Sequence, residues 1–176
     1  MAKGPLDFQL TEKQFALIGK IAVESALTEY LVEALITRLA EHKDISLTQM
    51  MLKTMMVGGK IDLLRSLATR LPQNERVIFC KLIKEVDLAN QARKLPIHGI
   101  WAKSSEDGMV RAHNVKKPLG ASTKATELAA LDQTYKRINR ELSAWIMRGT
   151  IQEQQILTSR KSAKLTRSQN KKDREP

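Results

Sequence analysis

From residue 128 the chain reads LAALDQTYKRINRELSAW, and Leu128, Leu131, Tyr135, Ile138, Leu142 and Trp145 recur in alternating steps of three and four. That period aligns all six along one side of a helix and requires another helix to cover them. A second segment has the same need. Thr11 and Gln14 form a capping-box pattern, and Phe15, Ile18, Ala22, Leu31, Leu35 and Leu39 follow at helical spacing to about Glu41. The middle of the chain supplies further helical stretches. A methionine-rich run, LTQMMLKTMMV, is followed by the pair Gly58-Gly59, read as a break or kink, and by Ile61, Leu64, Leu67 and Leu71. Its four methionines read as flexible core filling, with an adaptable binding surface as the other possibility. Pro72 suits a helix entrance, and a stripe of Phe79, Ile83, Val86, Asn90 and Arg93 begins from about Asn74. Aromatic residues make up only 4 %, too few for a β-sandwich or a base-stacking platform.

The expected fold is therefore all-α, a four-helix bundle with one excursion before the last helix. That excursion is GIWAKSSEDGMVRAHNV, two short β-leaning pieces around SSEDG, read as a small hairpin or an irregular loop. Ser122 or Thr123 is the expected cap of the last helix, which is expected to run on to about Leu157. With 176 residues the chain suits one domain, taken as residues 1–158, followed by a basic tail over 159–176 without apolar periodicity.

The net charge is +11, and the tail holds seven Lys/Arg against two Asp/Glu. Such a balance suits a polyanion, either nucleic acid or an anionic surface. No segment has the length of apolar sequence that spans a bilayer, and no apolar leader follows MAKGPLDF, so a cytoplasmic location is expected, with no membrane partner. Cys80 is the single cysteine; it sits in RVIFCKLI and reads as a core residue, which leaves neither a disulfide nor a thiolate metal site. His42 and His113 read as loop residues. Glu29 and Glu33 share a helix face without the histidines of a di-metal site, so no metal or other cofactor is expected. One possible partner for those two carboxylates is Arg93. No Gly-rich phosphate loop and no nucleophile-elbow motif occurs.

The most informative conflict lies in LANQARKLPIHGIW. Asn90 and Arg93 continue an apolar stripe that should face the interior or a partner, where an amide and a guanidinium are costly unless they have work to do. Five residues on stands His98, which an unbroken helix would point about 140° away from Arg93. Pro96 lies between them. A proline there is expected to drive Leu95 out of helical conformation, and Gly99 to allow an unusual backbone angle, so that the imidazole swings back towards the Arg93 face.

Asn90, Arg93, His98, Gly99 and Trp101, read as N-x-x-R-x-x-x-x-H-G-x-W, resemble the signature of the HEPN domains. The resemblance covers about residues 11 to 150 and includes the plan of a long first helix, an interrupted second, a motif-bearing third and a final helix after an excursion. It implies a small helical bundle that dimerises so that two R-x4–6-H motifs share a cleft. Active members of that family cut RNA without a metal; others bind and regulate. The implied catalytic residues are Arg93 and His98, with Asn90 and Lys94 as substrate-binding neighbours. The implied partners are RNA, a second copy, and possible antitoxin or regulatory proteins. The chemistry suits the residue types. An imidazole can take a proton from a 2′-OH or return one to a leaving oxygen, and a guanidinium offers a fixed fork of donors to a crowded phosphate. The plainer reading makes Arg93 a cap for the last carbonyls of its helix and His98 the filler of a polar gap.

Overall fold

A computed structural model of the chain describes residues 10–40, 45–103, 110–113, 122–124 and 127–148. The expected tail over 159–176, the turn at SSEDG, His42 and the continuation past Gly149 lie outside these residues. Two compact units are distinguished, Met1–Leu142 and Ser143–Pro176. In the first, α1 is Glu12–Leu39, α2 Ile45–Thr54, α3 Val57–Leu67, α4 Gln73–Ala92 and α5 Lys94–His98, and residues 128–142 form α6. In the second, residues 143–148 are helical and the Arg148 guanidinium lies 5.7 Å from the centre of the Trp145 ring.

The fold is all-α in its body. Thr11 caps α1 as its sequence requires: its hydroxyl accepts from the Gln14 N–H, and the Gln14 side chain accepts from the Thr11 N–H at 2.8 Å. The core is built from Leu31, Val32, Leu35 and Ile36 of α1, Ile61 and Leu64 of α3, Phe79, Ile83 and Val86 of α4, and Leu128, Tyr135, Ile138 and Leu142 of α6, all buried. The stripes of α4 and α6 are therefore the inner faces that their periods require.

Several expectations fail for local reasons. In the first half of α1 the buried apolar residue is Ile21, whereas Phe15 and Ala22 are exposed. Apolar residues surround that half-turn by turn, so period alone cannot choose the inner face. Gly58-Gly59 is not the break. The interruption falls at Met55 and Met56, and both glycines lie in the first turn of α3. Met50, Met51 and Met56 are exposed, so the methionines do not fill the core. Cys80 is also exposed, one residue round from the buried Phe79.

Among the described residues the excursion holds three short strands: β1 (Ile100–Lys103), β2 (Val110–His113) and β3 (Ser122–Lys124), in the order β1-β2-β3. Trp101 pairs with Ala112 across β1 and β2, and Ala112 with Thr123 across β2 and β3, both antiparallel. Ser122 and Thr123 are strand residues and not a helix cap, and His113 is in a strand and not a loop.

A Cβ added at Gly58 would meet nothing within 4 Å. Gly58→Ala is therefore expected to stabilise the protein by about 0.5–1 kcal/mol, because alanine loses less backbone entropy on entering a helix. A urea midpoint that rises without a change in slope is the expected reading.

Candidate functional site

The helix that carries the motif ends where the sequence places the polar residues. Arg93 is the joint between α4 and α5, at φ −69° and ψ −20°. Its N–H donates to the Ala89 carbonyl at 3.0 Å, and its own carbonyl accepts from the Ile97 N–H at 3.1 Å. Pro96 does not unwind Leu95. Leu95 is helical, and the proline sits at the third position of α5, inside the first turn, where a missing donor is tolerated. Gly99 is ordinary extended backbone, at φ −82° and ψ 162°. The break thus falls at Arg93, two residues before Leu95, and α5 is a short helix of its own; neither of the backbone changes expected to swing the imidazole back towards the Arg93 face occurs.

Two contacts brace this terminus. The Trp101 indole N–H donates to the Pro96 carbonyl at 3.1 Å in a buried position. The Tyr135 hydroxyl of α6 donates to the Ala89 carbonyl at 3.0 Å. The excursion is thereby tied to α5, and the last helix to the last turn of α4.

Asn90 and Arg93 are half-buried, and Arg93 Nε donates to Asn90 Oδ1 at 3.0 Å. The amide orients the guanidinium without neutralising it. Among the described residues no carboxylate pairs with Arg93. Nearby acids on α4 are engaged elsewhere: Glu85 accepts from Arg137 at 2.5 Å, and Asp87 from Gln91 at 3.1 Å and Arg65 at 3.5 Å. Lys94 and His98 are exposed on α5. Arg93 precedes α5 and His98 ends it, an axial separation of about 7–8 Å. Among the described residues the His98 side chain makes no hydrogen bond, to Arg93 or to any other group. The structure therefore brings Asn90 and Arg93 together and places Lys94 and His98 on the adjoining exposed turn.

Burial pushes the Tyr135 phenol up to about 12, against the Arg93 guanidinium, which pulls it down. A raised phenol keeps its proton in the fold, so its contribution to stability is complete below pH 10 and is lost as pH rises through about 12. Tyr135→Phe is expected to cost about 1 kcal/mol at neutral pH, the value of one net hydrogen bond, since the Ala89 carbonyl keeps the Arg93 N–H. It is also expected to flatten the alkaline decline. Urea unfolding of both proteins at neutral pH and above pH 10 measures both effects.

Sequence reasoning missed three buried polar groups. Lys60 of α3 is 4 % exposed, and its ammonium lies 2.5 Å from both Glu29 Oε1 and Glu33 Oε1. Burial alone would lower the lysine pKa, but the hydrogen bonds to Glu29 and Glu33 outweigh it and the net shift is upward. Those glutamates therefore serve Lys60 and not Arg93. Asn139 of α6 accepts from the Thr28 hydroxyl at 2.6 Å and donates to Glu24 Oε2 at 2.8 Å, joining α6 to α1. Asp132, one turn before Tyr135, accepts from Lys136 at 2.7 Å, while its buried Oδ1 has no hydrogen-bond partner. Their only sequence signal is the polar interruption of a core stripe, the same signal that marks Asn90 and Arg93.

No cluster of three or more His, Cys, Asp or Glu suited to a metal occurs among the described residues. No helix among them is long and apolar enough to cross a membrane. Compared with protein-family models, with curated proteins and with solved structures, the chain finds no match in any of the three.

Proposed function

We propose that this protein is a metal-independent endoribonuclease of HEPN type that acts as a homodimer and leaves 2′,3′-cyclic phosphate and 5′-OH ends. One observation carries the reading: a half-buried guanidinium held by a neutral amide, with no carboxylate on it among the described residues, one short helix away from an exposed imidazole. An arginine kept in this state is prepared for an external anion, because a carboxylate partner would already have used its charge. The phosphodiester of RNA supplies both the anion and, in its 2′-OH, the nucleophile.

In the proposed step His98 removes the 2′-OH proton while the oxygen attacks phosphorus. The P–O5′ bond breaks, and the leaving oxygen takes a proton from a second imidazole, that of the other copy. Arg93 holds the non-bridging oxygens as charge gathers there. Lys94 adds a contact to a neighbouring phosphate, and Asn90 keeps the guanidinium aimed. The net charge of +11 favours the encounter with the polyanion. A toxin–antitoxin, stress or defence role, with a regulatory protein as partner, belongs to the same reading.

A second reading is a non-catalytic HEPN-type module that binds nucleic acid or protein. The absence, among the described residues, of any hydrogen bond to orient His98 favours it. Incubation of the purified protein with RNA and DNA of one sequence, in the presence of chelator, separates the two. Cleavage of RNA alone, with cyclic phosphate ends, supports the enzyme. Binding of RNA without cleavage at any protein concentration supports the module and rejects the enzyme.

A further inference from the structure

The first helix buries one side in the bundle and leaves the other bare. Between Phe15 and Tyr30 that bare side is apolar: Phe15, Val23, Leu27 and Tyr30 are all exposed, Val23 by 70 % and Tyr30 by 66 %. Gly19, Ala22 and Ala26 fill the space between them and are exposed too. On a helical projection these seven residues fall within one sector, which no charged residue enters over that span. The face is about 24 Å long. A continuous apolar surface of this size ranks among the largest patches that monomers expose, and such patches often mark a contact.

We infer that this face of α1 pairs with the same face of a second copy, antiparallel, about a two-fold axis between Ala22 and Val23. Three properties select that occupant. The first is shape. The axis sets Phe15 against Tyr30 of the second copy at each end, and Gly19 against Ala26 and Ala22 against Val23 in the middle. A Cβ at Gly19 would meet nothing within 4 Å, so the backbone is open to close approach there. Small centres let helices approach, and aromatic pairs at the ends add specific contact.

The second property is charge. Lys20 is exposed on one border of the face, and Glu24, one turn on, stands partly exposed on the same border. The antiparallel axis brings Lys20 of each copy within one residue of the level of Glu24 of the other, giving two reciprocal ion pairs. Glu24 Oε2 is held by Asn139, which fixes the carboxylate that would receive the lysine.

The third property is area. A helix face of this length covers roughly 500 Å² on each copy, so a pair hides about 1,000 Å², the lower limit for a specific interface. The inference stands on the surface of α1 and not on catalysis. Because α5 also packs on α1, such a pair carries two motif-bearing helix ends in one particle.

Light scattering on the full chain at tens of micromolar is expected to give a dimer, and Val23→Lys a monomer with unchanged helical circular dichroism, since Val23 is exposed in the single chain; its unfolding midpoint falls only by what association had added. In a Cys80→Ser background, Val23→Cys is expected to form an inter-chain disulfide on mild oxidation, and Tyr30→Cys is not, because the two Tyr30 positions lie far apart along antiparallel helices. A wild-type monomer would overturn the inference, as would a dimer indifferent to Val23→Lys, or efficient cross-linking through Tyr30→Cys. So would a monomer that sediments with anionic vesicles through Val23, which would assign the face to a lipid surface. An RNA-inactive protein that dimerises through Val23 upholds the inference while the ribonuclease reading fails.

Discussion

Alanine in place of His98 is expected to slow RNA cleavage by about 10²–10⁴-fold, the usual worth of a positioned general acid or base. The fold should not register the change. His98 is exposed and makes no hydrogen bond among the described residues, so its loss should move stability by no more than about 0.5 kcal/mol. Arg93→Lys provides the matching test of the guanidinium. Lysine keeps the charge but loses the Nε–H that Asn90 Oδ1 accepts and the fork that grips two phosphate oxygens. The lysine variant should therefore bind RNA nearly as well as wild type and cleave it far more slowly. Single-turnover rates beside binding isotherms separate the two effects. Equal cleavage by the His98→Ala protein would remove the imidazole from the reaction.

Lys60→Ala is expected to cost about 3–5 kcal/mol, because it leaves two carboxylates facing each other where one ammonium had joined them. The lower part of that range is the better expectation, since the Glu29 and Glu33 side chains keep 33 % and 31 % of their exposure and water can reach them. The loss is one of compensation rather than of a favourable bond. Replacing all three partners, with Lys60→Met, Glu29→Gln and Glu33→Gln together, should therefore restore most of the stability that the single change removes. Urea midpoints of the single and triple variants measure this directly. A triple variant less stable than Lys60→Ala would show that the three charges contribute more together than their desolvation costs.

Those residues also mark where the sequence stops being legible. A capping box is readable because its partners stand three residues apart, and Thr11 and Gln14 behave as their spacing requires. The inner faces of α4 and α6 are readable because their flanks are polar. The first half of α1 is not, since Phe15, Ala16, Leu17, Ile18, Ile21, Ala22 and Val23 leave no polar side to exclude. The pairing of Lys60 with acids 31 and 27 positions away depends on how α3 lies along α1, which no local pattern contains. Pro96 misleads in a subtler way. Its chemistry was assigned correctly, but its effect depends on whether it falls inside a helix or in the first turn of a new one. That was settled by the joint at Arg93. The site was legible to the extent that Asn90 and Arg93 broke an apolar stripe, and the hydrogen bond between them follows from their three-residue spacing. The bracing by Trp101 and Tyr135 was not, because it comes from elements outside that helix.

The proposed chemistry depends on the 2′-OH as nucleophile, and one substrate isolates it. An RNA carrying a single 2′-deoxynucleotide on the 5′ side of a mapped cut is offered to the wild-type protein with chelator present. The cut at that position should vanish, while cuts at neighbouring ribonucleotides persist and end in cyclic phosphate. Undiminished cleavage at the deoxy position would contradict an attack by the 2′-oxygen, and with it the role given to His98.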